Sequence, residues 1–496
     1  MSGDTNGAPR VVVVVGNGIS DDSRVQKSAL AAARAGWDVV LLGRATRKRE
    51  ESWLGAVRVI RIPLRRRLHD RFEAATRRGS SPPVEDAAGG RFSRWLGRMP
   101  IRRFARRLLS RARMLRGGVD RRLVPDAAGS GRSVEVSAPV LPTTSPDEIS
   151  WRRDWPILSD WDLSFRPEIV ALEPDLIHAN DALMLGVAAR AAAQMRLAGR
   201  TVSWVYDAHE YVPAVDWGSP SVSAAYRQYE KEFINRADAV VTVSSSIAAK
   251  LEREYALDAA PVVVANAPVR FVDGNGSSVR AVARVPDGAP LLVYSGYLAP
   301  ERGIETAVQA LALLPSVHLA LVTSKRNPLL NVLRETAEQL GVGDRLHIAP
   351  YVPPFAVPGY LSTADLGLVA SHHSPNHEES LPTKFAEYLH AGLPLVVSDL
   401  KTVSGFVRRT GVGEVFEAGS AVALADAVRR GLERREQLVA RITDELLDDL
   451  SWERQSEKLL SLYTQVTGLL PIPPARPVPW SAEESTEAIS GAEVML

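Results

Sequence analysis

The chain has 496 residues, 45% of them apolar and 24% charged, and a net charge of +2. That profile fits a globular chain long enough for two or three domains with sizeable cores. It contains no cysteine, which excludes disulfides, thiolate nucleophiles and cysteine metal sites. No apolar run approaches the roughly 20 residues of a membrane-spanning helix, and the first ten residues lack the apolar core of a signal peptide. A cytoplasmic protein is the expectation.

The first elements alternate. Residues 11–15 form a run of valines and read as a buried strand. Gly16-Asn17-Gly18 follows, then a helix over 23–35 that ends at Gly36, and strands over 37–43 and 57–63. Continuous apolar strands alternating with amphipathic helices predict a parallel sheet covered on both faces. The glycine loop fits a dinucleotide fingerprint poorly. Its pattern is Gly-x-Gly-x-x-Asp without a third glycine, and the second strand ends in Gly43-Arg44 with no acid for a ribose. An NADP oxidoreductase using Arg44 is one alternative. The other is a loop that lets some other ligand approach the backbone.

Residues 64–150 interrupt the alternation and read as a partly disordered insertion. Residues 61–122 carry nineteen arginines against five acidic residues, and 126–146 are rich in Gly, Ser and Pro. Within the block, Phe92, Trp95, Leu96, Met99, Ile101, Phe104, Leu108 and Leu115 recur at roughly helical spacing, interrupted by Pro100. A basic amphipathic helix suits an anionic membrane surface, so residues 64–125 are a candidate contact with the inner face of the cell membrane. The alternative is a solvated insertion. Nucleic acid is not an expected partner, because no aromatic stacking platform accompanies the charge.

Order resumes with a helix over 162–172, a strand over 175–178, a helix over 182–197 and a strand over 201–206 that runs into Asp207-Ala208-His209-Glu210. A helix over 221–236, a strand over 239–243, a helix over 244–255 and a strand over 261–264 complete the first half. A second series begins after a linker: strand 291–295, the Gly296 turn, helix 302–313, strand 317–322, helix 328–340, strand 345–349, a short helix near 355–361 and strand 366–369. Helices over 421–431, 435–449 and 452–466 end the fold, and a proline-rich, acidic tail follows. The fold class is therefore α/β, with two doubly wound Rossmann-like domains facing a central cleft. Residues 1–9 read as a disordered N-terminus, 10–270 as the N-terminal domain, 271–288 as the linker, 289–450 as the C-terminal domain, 451–468 as a final helix and 469–496 as a disordered tail. Such domains bind ligands at the carboxyl ends of their strands, and His209, Gly296, Lys325 and the residues after 369 all follow strands.

The most informative stretch is 371–399, SHHSPNHEESLPTKFAEYLHAGLPLVVSD. Pro382 suits a helix start, so a helix over 383–391 is expected, stopped at Gly392 and followed by a buried strand over 395–398. Glu379 would sit in the loop before that helix and Glu387 more than a turn inside it. A helix N-terminus is a ready phosphate site, and a carboxylate on each side could hold the hydroxyls of what carries the phosphate. In outline this is a nucleotide-sugar site. The histidines at 372, 373 and 377 complete no metal-ligand spacing and read as loop. Asp160-Trp161-Asp162 spells the Asp-x-Asp of metal-dependent transferases but precedes a helix, so chance is its reading.

Across 10–466, outside the insertion, the chain resembles the family 4 glycosyltransferases of the GT-B fold, the group 1 glycosyl transferases. The resemblance rests first on ESLPTKFAEYLHAGLP at 379–394, the family's Glu-x7-Glu signature. DDSRV at 21–25, PDLIHAND at 174–181, YDAHEY at 206–211, ADAVVTVS at 237–244, SGYLAPERGIE at 295–305 and LSWERQSEKLLSLY at 450–463 support it. The last implies a helix crossing back onto the N-terminal domain. The resemblance implies that Glu387 bonds the nucleotide ribose and Glu379 the donor sugar. Arg302 stands where the family has a lysine on the donor diphosphate. The family's partner arginine is Tyr297 here, a loss that Lys325 or Lys384 would make good. Gly296 and the N–H groups of Thr383 and Lys384 complete the donor side, and Gly16, Asn17, Gly18, Asp22 and Arg24 match the acceptor side. His209 would handle a proton or hydrogen bond near the reacting centre, with His178 structural.

The expected activity is sugar transfer from a nucleotide-diphosphate donor to a glycan, lipid-linked or small-molecule acceptor, with retained configuration and no metal or other cofactor. Fixed cations and helix N–H groups would stabilise the leaving diphosphate. A sugar-nucleotide epimerase or hydrolase and a non-catalytic sugar-nucleotide-binding protein are the alternatives that share this cleft.

Overall fold

The computed structural model describes residues 7–20, 22–77, 149–215, 217–270, 277–324, 327–476, 478, 480 and 484–485. The chain divides into two units, one of residues Met1–Leu64 with Trp161–Leu496 and one of Arg65–Asp160. The arginine-rich amphipathic segment and the heart of the linker lie outside the described residues. No helix among the described residues is long and apolar enough to cross a membrane.

The larger unit is built on two sheets. The first holds β1 (Arg10–Val14), β2 (Asp38–Ala45), β3 (Glu50–Leu54), β4 (Val57–Pro63), β5 (Leu176–Asn180), β6 (Ser203–Ala208), β7 (Ala239–Thr242) and β8 (Val262–Val263). The second holds β9 (Leu291–Ser295), β10 (His318–Val322), β11 (Leu346–Ala349), β12 (Leu366–Val369), β13 (Leu395–Ser398) and β14 (Gly413–Phe416). Spatial order is β3-β4-β2-β1-β5-β6-β7-β8 in the first sheet and β11-β10-β9-β12-β13-β14 in the second. The second sheet is parallel throughout. In the first, β1 lies between β2 and β5, and Val11 through Val15 are fully buried, as a central strand covered on both faces requires.

The valine run, the helix Ser23–Ala35 and its stop at Gly36 stand where the sequence puts them. Gly36 takes φ of 102°, and its N–H bonds Ala32 O and Ala33 O. The β3 strand is an addition. It pairs antiparallel with β4 around Gly55 (φ 58°), and its alternating exposure leaves Glu50, Glu51 and Trp53 facing out. A half-exposed strand of mostly polar residues gives little hydrophobic signal. The helix expected over 162–172 begins five residues earlier, at Ile157, and carries Pro167 inside it. The helix expected from Arg302 instead starts at Ile304, after a 3₁₀ turn Pro300–Arg302 and Gly303 at φ 68°.

The final helix, Trp452–Thr467, packs in the core of the first sheet although it follows the second in sequence. Trp452 and Tyr463 are fully buried there with Val11, Val13 and Trp37. Trp452 donates its indole N–H to Lys27 O at 3.1 Å, and Ser203 donates its hydroxyl to Val466 O at 2.7 Å. The two chain crossings between domains lie side by side, Trp452 N donating to Pro268 O at 2.7 Å.

The tail is a correction to the expected disorder over its described part. Ile472 N bonds Gly36 O at 3.1 Å, and a Cβ at Gly36 would stand 1.9 Å from Ile472 O. Arg34 lies 4.5 Å from the centre of the Trp480 ring, and β15 (Glu484–Ser485) pairs antiparallel with β3. The glycine that ends the first helix thus also lets the tail lie against it.

In the smaller unit the helix Arg67–Arg77 is capped from outside. Asp160 accepts from Leu68 N at 2.8 Å and His69 N at 2.9 Å, while burial pushes its carboxyl up to about 6 against those bonds. In the larger unit Asp162 is paired with Arg166 at 3.1 Å and Arg190 at 3.5 Å. Both acids of the Asp-x-Asp are thus occupied structurally.

Truncating Trp452 to alanine removes a buried aromatic that joins both domains, and about 3–5 kcal/mol of stability should go with it. Urea unfolding followed by circular dichroism measures this, and Trp452→Phe should recover most of the loss.

Candidate active site

The loops after β1, β5 and β6 form one wall of the candidate site. Asn17 and Asp22 set the glycine loop. Asn17 Nδ2 donates to Asp22 Oδ2 at 2.7 Å, its Oδ1 accepts from Ile19 N at 2.8 Å, and Asp22 caps the helix through Val25 N at 3.2 Å. A Cβ at Gly16 would stand 2.8 Å from Leu183 Cδ1. Gly18 is open on that measure, its nearest neighbour being Arg44 O at 3.9 Å. Ile19, a β-branched residue at φ 73°, holds this turn in a strained conformation.

Arg24, expected to face an acceptor, is turned inward. Its guanidinium is 3% exposed and donates to Asp207 Oδ1 at 2.8 Å, Asp207 Oδ2 at 3.0 Å and Val264 O at 2.7 Å. Its role is therefore to position Asp207. Burial alone would raise the Asp207 carboxyl, but the Arg24 charge and the histidines hold it well below the usual range. His178 lies 3.3 Å from Asp207 Oδ2 and bonds the Tyr463 hydroxyl; burial lowers its pKa, which keeps it neutral and structural.

His209 stands at the mouth of this network. Its Nδ1 is 3.0 Å from Asp181 Oδ1, and its Nε2 lies 3.2 Å from Asn180 Oδ1 and 3.5 Å from Asp207 Oδ2. Burial opposes its charge, yet the Asp181 and Asp207 carboxylates outweigh it and hold the imidazole well above its ordinary value. Asp181 takes φ of 65°, a strained conformation for a non-glycine residue. Asn180 and Asp181 fall within the quoted family motif, but only the fold places them against His209.

The opposite wall comes from the second sheet. Gly296 takes φ of 133°, where a Cβ would stand 2.8 Å from Lys384 Nζ. Lys384 lies over the Tyr294 ring at 3.7 Å from its centre, and the Tyr294 hydroxyl donates to Tyr297 O at 2.7 Å. Tyr297 itself is 67% exposed, so its side chain supplies no fixed charge to the turn. Burial, and then the Arg302 charge, push the Lys384 ammonium well below its usual range; Glu387 opposes them. Pro382, at φ −70° and ψ 145°, offers no side-chain acceptor to the first turn of the helix Thr383–His390. Among the described residues, none outside the helix meets the N–H groups of Thr383 and Lys384.

Arg302 borders a small pocket with Ser371, His377, Ser380 and Pro382. Its charge also acts on Glu210 of the first wall, whose carboxyl is raised chiefly by burial and by Asp181. Glu387 is likewise raised by burial and is answered across the cleft by Lys27, whose own ammonium burial lowers to about 7. Lys27 donates to Asn266 Oδ1 at 3.0 Å and to Ala267 O; it lies one helical turn beyond Arg24 and was not among the residues the sequence singled out.

Glu379 ends the short helix Pro375–Glu379 rather than lying in a loop. Its carboxylate is 3.1 Å from Lys250 Nζ and 3.2 Å from Lys401 Nζ, and it accepts from the Ser246 hydroxyl. Burial would raise it, but these donors bring it down to about 2. Nearby, His373 bridges Glu378 at 2.5 Å and Asp399 at 3.1 Å, and His377 Nδ1 meets His372 O at 3.0 Å, so these histidines brace the loop. Lys325 lies outside the described residues. Of the other expected residues, Glu379, Glu387, Lys384, Arg302, Gly296 and His209 stand on the two walls, while Arg24 is buried behind one of them.

Comparison with known proteins agrees with this architecture. The group 1 glycosyl transferase family matches residues 277–444, and glycosyltransferase family 4 matches residues 103–270. The D-inositol 3-phosphate glycosyltransferase of Geodermatophilus obscurus is 26% identical over 282 residues, covering 54% of this chain and 61% of that protein. Its counterpart in Nocardia farcinica is 26% identical over 256 residues, covering 47% and 54%. The chain thus spans between half and two thirds of the length of these curated relatives. Among solved structures, sucrose-phosphate synthase from Thermosynechococcus elongatus superposes with a TM-score of 0.62 at 17% identity, covering 93% of this chain and 99% of that one. Anabaena Alr3699/HepE in complex with UDP and glucose gives 0.55 at 13% identity, covering 92% and 100%. These likenesses show the fold, two Rossmann-like domains of the GT-B type. The chain belongs to the group 1, family 4 glycosyltransferases.

The raised His209 value makes a pH prediction. Its stabilising contribution is complete below the ordinary value of about 6.5 and is lost as pH rises through the higher folded value. Asp181→Asn should lower the His209 value, seen by NMR titration of the imidazole, and bring that loss of stability closer to neutrality.

Proposed function

We propose that this protein transfers a sugar from a nucleotide-diphosphate sugar to an acceptor hydroxyl on a glycan, a lipid-linked intermediate or a small molecule, with retention and without a metal. The observation that carries the reading is the pairing of Arg302 and Lys384 beside Gly296, next to a helix start whose first N–H groups meet no partner among the described residues. Burial and the Arg302 charge together destabilise the Lys384 ammonium. A diphosphate between the two cations would relieve that repulsion. The names of the Geodermatophilus and Nocardia relatives support sugar transfer, and the UDP and glucose held by Anabaena HepE support a nucleotide-sugar donor.

In this reading Glu387 takes the ribose hydroxyls and Glu379 the sugar hydroxyls. Arg302, Lys384 and the backbone N–H groups of Gly296, Thr383 and Lys384 take the diphosphate. The bond between the anomeric carbon and the phosphate oxygen breaks as an acceptor oxygen bonds the same face of that carbon. The acceptor's proton passes to the departing phosphate oxygen. Charge accumulating on that phosphate meets cations already in place, which lowers the barrier without solvent reorganisation. A protonated His209, its ring nitrogens held by Asp181 and Asn180, supplies positive charge on the acceptor side, where Gly18 leaves room for a ligand. The basic residues 64–125 support, on sequence alone, a reaction at the inner face of the cell membrane.

A thermal-shift screen of UDP, GDP and their sugar conjugates tests the donor, because a bound ligand stabilises the native state by mass action. At least one of them should raise Tm. With that donor, Arg302→Ala should lower turnover by about 10²–10³-fold, read as release of nucleoside diphosphate with formation of glycosylated product. Undiminished turnover in that variant would refute the assignment of the diphosphate site.

A further inference from the structure

Arg24, the cation that the sequence put on the acceptor side, is engaged by Asp207 behind the wall. Other arginines near the glycine loop are engaged as well. Arg61 donates to Gly18 O at 3.0 Å and to Ser52 Oγ at 3.0 Å, and Arg49 pairs with Glu51 at 2.9 Å and Glu168 at 3.1 Å. Arg44 is different. It is the last residue but one of β2, and its backbone N–H donates to Asn17 O at 2.7 Å, which ties it to the glycine loop. The open side of that loop adjoins it, since Arg44 O is the nearest atom to a Cβ built at Gly18. Its guanidinium is partly buried and lies 5.9 Å from the centre of the buried Trp161 ring. A π face steadies a cation but offers no lone pair to its five N–H donors. Among the described residues no oxygen meets those donors, and no carboxylate restores what burial takes from the charge. Arg47 and Lys48, exposed just beyond the strand, add charge of the same sign.

We propose that Arg44 is an anion subsite for the acceptor: the acceptor carries a phosphoryl group, which Arg44 takes at the end of β2 while the reacting hydroxyl lies across the glycine loop towards His209. The proposal deepens the reading of that loop as the acceptor side and rests on it. The strand order β4-β2-β1-β5-β6 sets Arg44 on one side of Gly16–Gly18. His209, held by Asn180 and Asp181 after β5, stands on the other. Two interstrand spacings, about 10 Å, separate β2 from β5, the scale of one sugar or polyol with a substituent at its far end. The planar fork of a guanidinium fits two oxygens of one phosphate, so the contact fixes orientation as well as affinity. A sugar or polyol phosphate and a phospholipid headgroup both present this chemistry.

Titration calorimetry of the full-length protein with glucose 6-phosphate, glucose and glucuronate tests the charge. Vesicles of phosphatidylcholine with phosphatidylglycerol test a lipid source. Glucose 6-phosphate should bind where glucose does not, and Arg44→Gln should weaken it by about 10–100-fold. Arg44→Lys, which keeps the charge without the fork, should lose less. Arg302→Ala should leave this affinity unchanged. Nucleoside diphosphate binding should instead depend on Arg302 and survive Arg44→Gln, which also shows that the Arg44 variant folds. Vesicle binding that falls with Arg44→Gln, with glucose 6-phosphate unbound, assigns the phosphate to a lipid. Binding that is absent or indifferent to Arg44→Gln in both arms overturns the subsite, as does glucuronate bound more tightly than glucose 6-phosphate. If glucose 6-phosphate binds through Arg44 while no nucleoside diphosphate binds the parent, the subsite stands and the donor reading falls.

Discussion

The candidate site depends on one buried ion pair. Arg24 and Asp207 are 3% and 0% exposed, and each is the main compensation for the other's charge in a dry environment. Losing either partner of such a pair leaves an uncompensated charge and costs about 3–5 kcal/mol, whereas the intact pair contributes little net stability. What it supplies is position. Arg24 ties the start of the first helix to the end of β6 and to Val264 O, so the glycine loop, the Asp207–Glu210 segment and the approach to the linker share one anchor. Asp207 then holds His178 through Oδ2, and the same oxygen faces His209. The orientation and charge of His209 owe first to Asp181 and then to Asp207, whose place this pair fixes.

A second dependence runs through the two interdomain crossings. Lys27 holds the outgoing crossing at Asn266 and Ala267, lies 5.1 Å from the ring centre of Trp452 on the return crossing, and sits in the field of Glu387. Burial weakens this ammonium, and Glu387 restores it in part. The pivot and the expected ribose carboxylate are therefore electrostatically linked, although they lie far apart in sequence. The final helix completes the arrangement by setting the Tyr463 hydroxyl against His178 Nδ1 and Trp452 in the core of the first sheet.

Much of the architecture was legible in the residues. The valine run of β1, the strands after it and the strand–turn–helix after β12 carry strong local signals, because a strand covered on both faces must be continuously apolar. Elements without that signal were missed. The β3 strand is half exposed, and the start of the helix at Ile157 is masked by Ser159 and Asp160. The tail's attachment sets Trp480 and Ile472 on Arg34 and Gly36, hundreds of residues away in sequence. In the site, Glu379, Glu387, Arg302 and Lys384 were legible through one compact motif and one strand-end turn. Lys250, Ser246, Lys27 and Asp181 were not, because each acquires its meaning from a partner on another element.

The sequence alone determined the two α/β halves, the run of strand ends that carries the site, and the family to which they belong. It determined them because periodicity, glycine turns and the Glu-x7-Glu spacing are local properties of the chain. Tertiary structure alone decided which charges face which. It turned Arg24 inward onto Asp207, brought Lys384 beneath Gly296 with Arg302 nearby, and set Ser246 and Lys250 on Glu379 from across the cleft. Electrostatic energy depends on distance and burial, and neither is written in the order of residues along a chain.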